Sequence, residues 1–276
     1  RRSAADGLAF KEGDYVDFSF KVTDEQWWEG QNKRRHHTGT AAGCSLQEWI
    51  ETIEAARAAA ERFIVIMLLF SGERRSDDIQ DWLESMAKVA GIRVLIISVD
   101  LATDYRWDLA IPLTLHVLLQ AAQRGLIDIS GGGPPCATVS RARFNTKVKG
   151  PRPLRFRWNF WGRSDATPHE RARLAEASVL YLHSLALFEA ICIAGGCYFW
   201  EHPADPGCEP FPSIFNVIEF LAFETRVGGK RAVHDQCALG GLAQKATCIS
   251  SDSEHVRDLD QVFCPGVSAT HTHVKT

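Results

Sequence analysis

The stretch GLIDISGGGPPCATVS, residues 125 to 140, sets Cys136 directly behind two prolines, after a short apolar run and three glycines. Each proline locks its own φ and restricts the residue before it, so the sulfur is held in one place with little freedom. A thiol fixed in this way is placed for covalent chemistry, although Pro-Pro also serves plain turns. Three other short stretches carry groups of comparable interest. Phe70-Ser71-Gly72 follows an apolar run and lets backbone approach a ligand. Asp100 ends another run, where a carboxylate accepts hydrogen bonds from two ribose hydroxyls. Trp200-Glu201-His202-Pro203 adds a second carboxylate and an imidazole, and Asp128 sits just ahead of the glycines. Singly these are weak signals: a glycine after a strand is commonly just a turn, and an aspartate there caps the next helix about as readily as it binds a ribose.

The elements that must position them read as alternating strands and helices. FIVIMLLF (63 to 70) and IRVLIIS (92 to 98) are compact apolar runs suited to strands buried on both faces. DDIQDWLESMAKVAG is the helix between them, and IPLTLHVLLQAAQRG is the helix leading into the strand LIDISG. A long helix is expected over about 168 to 194, then CYFWEH, a helix near 213 to 227, and strands at KRAVHD and ATCISS. Ser45 with Glu48 offers a capping box to a helix beginning at SLQEWIETIEAARAAAERF. This alternation predicts an α/β domain over 44 to 276 with a doubly wound, mostly parallel sheet, in which ligands sit at the carboxyl ends of the strands.

Residues 1 to 43 differ. Leu8, Phe10, Gly13-Asp14, Trp27-Trp28 and Gly30 resemble part of a Src-homology-3-like barrel over about 35 residues, which implies a small β-rich appendage, and KRRHHTGTAAG reads as a linker. Residues 1 to 43 are the expected contact with any larger assembly, of which the chain would be an excised piece.

Composition narrows the classes. The 276 residues, 45% hydrophobic and with a formal charge of −3, can bury a full core and are not a uniformly basic nucleic-acid binder. The segment 141 to 163, RARFNTKVKGPRPLRFRWNFWGR, is nonetheless rich in Lys, Arg and aromatic residues and free of Asp and Glu. It begins five residues after Cys136, and it is expected to form a mobile nucleic-acid contact through Arg141, Arg143, Arg155 and Arg157, with Lys245 added from a later loop. A solvated loop or a contact for an acidic protein is the plainer alternative. No apolar run reaches bilayer length, so no membrane span is expected. Eight cysteines without CxxC pairs suit reduced thiols in an intracellular compartment and speak against a metal site. His271-x-His273 and His36-His37 read as solvated polar ends.

In their order along the chain, Phe70-Ser71-Gly72, Asp100, Gly132-Gly133-Pro134-Pro135-Cys136, Glu201-His202-Pro203 and Gln244-Lys245-Ala246-Thr247 resemble the DNA (cytosine-5)-methyltransferase family over about residues 60 to 250. The resemblance implies a Rossmann-like sheet of the S-adenosylmethionine-dependent type, with Phe70, Ser71, Gly72, Asp100 and Asp128 around that cofactor. It also implies catalysis by Cys136, whose thiolate adds to cytosine carbon 6, and by Glu201, which meets the ring N3 edge. Where that family carries Asn after the glutamate this chain has His202, and Lys245 and Thr247 replace its two late arginines. The family's target-recognition segment has no counterpart in the sequence given. A domain of the same fold that is catalytically silent and serves as a binding or structural subunit is the rival expectation.

Overall fold

In the computed structural model, the described residues are 46 to 276, apart from 60 to 62, 77, 104, 148, 269, 270 and 274 to 276. The expected N-terminal appendage, its linker, the Ser45 cap and His36-His37 lie outside them. The chain runs α1 (Leu46–Ala58), β1 (Ile64–Leu69), α2 (Ile79–Ala90), β2 (Val94–Val99), α3 (Pro112–Gln123), β3 (Ile129–Gly132), α4 (Pro168–Ile193), β4 (Cys197–Pro203), α5 (Ile218–Val227), β5 (Lys230–Asp235) and β6 (Ala246–Ser251), joined by loops with short 3-10 turns.

The six strands form one sheet in the order β2-β1-β3-β4-β6-β5. Strands β2, β1, β3 and β4 run parallel, and β6 pairs antiparallel with both β4 and β5. The protein is therefore mixed α/β with a mostly parallel, Rossmann-like sheet. The strand order reverses between β1 and β3, which opens a crevice at their carboxyl ends. Alternation of strands and helices does not reveal that the last strand is reversed, because ATCISS mixes small polar and apolar residues on both faces and is buried on both whichever way it runs.

The core explains the elements. Val65, Met67 and Leu69 of β1 are buried with Leu118 and Ala122 of α3, Leu185 and Ile191 of α4, and Phe220 and Phe223 of α5. Helices α1, α3, α4 and α5 pack in succession, while α2 lies against β2. Helix α4 opens on a capping box, with Thr167 accepting from the Glu170 amide and Glu170 accepting from the Thr167 amide. By length and composition α4 is apolar enough to cross a membrane. The fold spends that apolarity inside, where Leu187, Phe188 and Ile191 are buried.

Candidate active site

Register decides which side chains meet. Val99 pairs with Leu69, Leu69 with Gly132, and Gly132 with Trp200, so the carboxyl ends of β2, β1 and β3 stand level with Trp200 of β4, which runs three residues further beside β6. The next residue on each strand is then Asp100, Phe70, Gly133 and Glu201. Four of the stretches picked out by their chemistry thus emerge in a single row at the carboxyl edge of the sheet.

The glycines are required by this close approach. A Cβ on Gly131 would lie 2.1 Å from the Phe199 ring, and one on Gly132 would lie 2.0 Å from the Leu69 carbonyl oxygen. A Cβ on Gly133 would lie 2.7 Å from Oε2 of Glu201, so the Glu201 carboxylate rests directly against the start of the Pro-Pro-Cys loop.

That loop is fixed on each side of the half-buried Cys136. The Tyr181 hydroxyl donates to the Pro135 carbonyl at 2.9 Å, Arg143 Nε donates to the Ala137 carbonyl at 2.5 Å, and Arg155 Nε donates to the Thr138 hydroxyl at 2.9 Å. Cys136 opens a 3-10 turn closed by the Val139 amide on its carbonyl. The rigidity anticipated from two prolines is therefore completed by side chains from α4 and from the basic segment.

At the end of β1 the backbone takes an uncommon path: Phe70 has φ +59° and Gly72 has φ +75°. A non-glycine residue in this left-handed region is held there by its surroundings. The Phe70 amide donates to the Val99 carbonyl at 3.0 Å, and Asp100 accepts from the Gly72 amide at 2.8 Å and the Ala102 amide at 2.7 Å. Asp100 thereby ties the β1 and β2 loops together while keeping lone pairs for a ligand. The Ser71 hydroxyl is buried and finds no partner among the described residues, and the side of Gly72 where a Cβ would stand is open to 4 Å. Arg74, which follows, turns away and pairs with Asp78 and Asp81 at the start of α2.

Three sequence-based placements are corrected. Asp128 precedes β3 and lies on the opposite, amino-terminal edge, where it pairs with Arg57 at 2.8 Å and accepts from the Val65 amide at 2.7 Å. It anchors the start of β1 and takes no part at the carboxyl edge. Arg155 is fully buried: it also donates to the Phe160 and Leu174 carbonyls and to Ser178, and stands 4.9 Å from the centre of the Phe160 ring. Burial lowers its pKa to about 10, which leaves it charged at neutral pH and out of reach of any phosphate. His271 and His273 are half-buried, and their Nε2 atoms lie 3.1 Å apart beside the Cys264 sulfur. Nothing in their local sequence signalled this convergence.

The other basic candidates are mostly engaged. Arg157 forms a two-pronged pair with Asp205 at 2.7 and 3.3 Å, and Lys245 pairs with Glu201 at 3.3 Å. Arg143 also donates to the Arg152 carbonyl, and burial lowers its pKa. Arg141 is exposed, with its guanidinium 4.8 Å from the Phe211 ring centre, and Lys147 and Lys149 are exposed. Trp158 is 63% exposed and stacks on Phe156 with ring centres 4.9 Å apart, presenting its free face outward.

His202, next to Glu201, points to the opposite face of β4 and is buried between the Tyr181 and Phe215 rings. Burial, helped by the charge of Lys245, pushes its pKa down to about 3. Above about pH 6.5 both folded and unfolded chains hold this imidazole neutral; below it only the unfolded chain gains the proton, so stability falls with pH by about 1.4 kcal/mol per unit. Between pH 6.5 and 5 the wild type should lose about 2 kcal/mol through this group, and His202→Phe should remove that share of the loss. Urea unfolding of both chains at the two pH values measures the difference.

No protein-family model matches this chain, and no curated protein does. Among solved structures it is similar to a mutant of DNMT2 from Spodoptera frugiperda, with a TM-score of 0.35 and 11% identity. That match covers 77% of this chain and 55% of the other, so the chain spans about half the length of that protein.

Proposed function

We propose that the chain transfers a methyl group from S-adenosylmethionine to carbon 5 of cytosine in nucleic acid, through a covalent adduct of Cys136. The observation that carries this reading is the level row of Phe70, Asp100, Gly133 and Glu201, with Cys136 braced three residues beyond Gly133. The residues at the β1 and β2 ends suit the cofactor: an unsatisfied Ser71 hydroxyl, the open side of Gly72, the Phe70 ring and the Asp100 carboxylate. S-adenosylmethionine, when bound, supplies an electrophilic methyl group.

The chain's own residues do the rest. The Cys136 thiolate adds to carbon 6 of the ring, forming the sulfur–carbon bond and shifting a ring electron pair onto carbon 5. Glu201 meets the N3 edge as negative charge develops there. After carbon 5 is methylated it loses its proton to solvent, the electron pair returns to the ring, and the sulfur–carbon bond breaks to regenerate the thiolate. The base must leave its stack to reach Cys136, and the exposed Trp158 face with Arg141, Lys147 and Lys149 supports a strand contact for this.

A second reading is favoured by the Lys245–Glu201 ion pair, which already occupies the carboxylate: a silent domain of the same fold that binds rather than reacts. Calorimetry with S-adenosylmethionine separates the two. Binding to the wild type should be measurable, and Asp100→Ala should weaken it by about 1 to 3 kcal/mol, since polar partners are stranded. Absence of both heat and thermal shift in the wild type would overturn the enzymatic reading.

A further inference from the structure

Outside the candidate active site, four ligand-type atoms converge at one end of the sheet: the sulfurs of Cys237 and Cys264 and nitrogens of His271 and His273, all within 4.8 Å of one another. The Cys264 sulfur lies 3.4 Å from Nε2 of each histidine, and the two Nε2 atoms are 3.1 Å apart. We propose that these four residues bind a structural zinc ion.

The spacing fits the ion. With zinc–sulfur bonds of about 2.3 Å and zinc–nitrogen bonds of about 2.0 Å, a tetrahedral site sets sulfur–nitrogen edges at about 3.5 Å and the nitrogen–nitrogen edge at about 3.3 Å. The cluster already holds three such edges to within a few tenths of an ångström. Two thiolates and two neutral imidazoles cancel the charge of the ion, and soft sulfur with imidazole nitrogen is the donor set that selects zinc over hard cations. Four protein ligands leave no position for water or substrate, which makes the role structural.

The local fold presents the ligands. Cys237 is buried in a 3-10 turn, Gln236–Leu239, that ends at Gly240 with φ +93°. Cys264 is followed by Pro265 and by Gly266, whose φ is +91° and whose amide donates to the Cys264 sulfur at 3.3 Å, a bond that steadies a ligating thiolate. The Ser268 amide donates to the His271 carbonyl at 2.8 Å, which holds the first histidine close to the segment that carries Cys264. Asp235 supports the set from behind, accepting from the Cys264 amide at 2.9 Å.

The stretch from Gln261 to His273 needs such a fastening. Its described residues contain no helix or strand, and its large apolar side chains Phe263 and Val267 are 56% and 73% exposed, so apolar burial does little to hold it. Backbone bonds lay its beginning on the edge strand: the Gln261 amide donates to the Val233 carbonyl and the Asp235 amide to the Val262 carbonyl. Zinc would staple the remainder to β5. The same staple bears on Glu201, because the Gln236 amide next to Cys237 donates to the Lys245 carbonyl at 3.0 Å. The metal thus closes the base of the loop that carries Lys245, whatever reaction the site performs.

The test is elemental analysis of the full chain, purified with its affinity tag removed. About one zinc ion per chain is expected, falling about tenfold or more in Cys264→Ser and in His273→Gln. Replacing zinc by cobalt(II) in the wild type should give the intense visible bands of a tetrahedral sulfur–nitrogen site, a readout that does not depend on a variant folding. Chelation should lower Tm, and added zinc should restore it. A metal-free chain with no cobalt bands and no zinc-dependent rise in Tm would reduce the cluster to hydrogen bonds and overturn the proposal.

Discussion

DNA containing 5-fluorocytosine is expected to become covalently attached to the wild-type chain, and only when S-adenosylmethionine is present. A fluorine on carbon 5 cannot leave as a proton does, so the methylated adduct cannot eliminate Cys136 and the complex persists. Cys136→Ser should abolish attachment, because a hydroxyl is far less ionised than a thiol near neutral pH and is the weaker nucleophile. Glu201→Gln should slow it by about tenfold or more, if the carboxyl group assists charge developing on the ring. Single-stranded or mismatched substrate is the appropriate choice, since extracting a base costs least there. Denaturing electrophoresis reads the adduct directly. Attachment that survives Cys136→Ser would assign the bond to another of the cysteines. No attachment in a wild type that binds the cofactor would favour a silent domain whose Glu201 is permanently engaged by Lys245.

The row at the carboxyl edge was legible because strand ends are marked by simple rules: an apolar run stops, and a glycine, proline or acid follows. Gly72 soon after the run that ends at Phe70, Asp100 after Val99 and Gly133 before the prolines satisfy this at three strand ends, Glu201 interrupts the apolar start of β4, and register levels Phe70, Asp100, Gly133 and Glu201. Asp128 stands at the amino-terminal edge although LIDISG reads as one strand, because β3 spans only Ile129–Gly132 and the Asp128 amide and carbonyl make the first bonds to Val65 and Cys197 beside it. A shift of the strand's start by a few residues moved that carboxylate from one edge of the sheet to the other. The basic segment failed for a different reason: composition counts charges but does not say which way they point, and carbonyls, carboxylates and aromatic rings inside the fold claimed Arg143, Arg155 and Arg157. The cluster of Cys237, Cys264, His271 and His273 was hidden because its first cysteine lies far along the chain from the rest. Only the pairing of the segment after Asp260 with the exposed edge of β5 unites them.

Arg155 gives the largest expected effect on stability. Its guanidinium is sealed from water, donates to two carbonyls and two hydroxyls, and packs near the Phe160 and Tyr181 rings, with no carboxylate bonded to it among the described residues. The cost of bringing this charge inside is offset by those acceptors, so truncation strands the Phe160 and Leu174 carbonyls in an apolar setting while also leaving a void. Arg155→Ala is therefore expected to destabilise the fold by about 3 to 5 kcal/mol, and Arg155→Lys to recover only part of it, because an ammonium cannot span acceptors arranged around a planar fork. The loss should reach the candidate nucleophile too, since Arg155 Nε holds the Thr138 hydroxyl two residues beyond Cys136. Arg155→Lys, if folded, should then react more slowly in the trapping assay without a change in the salt dependence of any DNA binding, which on the proposed reading would rest on exposed groups such as Lys147 and Lys149. Denaturant unfolding measures the first effect and binding isotherms at several salt concentrations the second. An Arg155→Ala chain as stable as the wild type, with a shallower salt slope, would place this guanidinium on the surface and return it to the nucleic-acid contact.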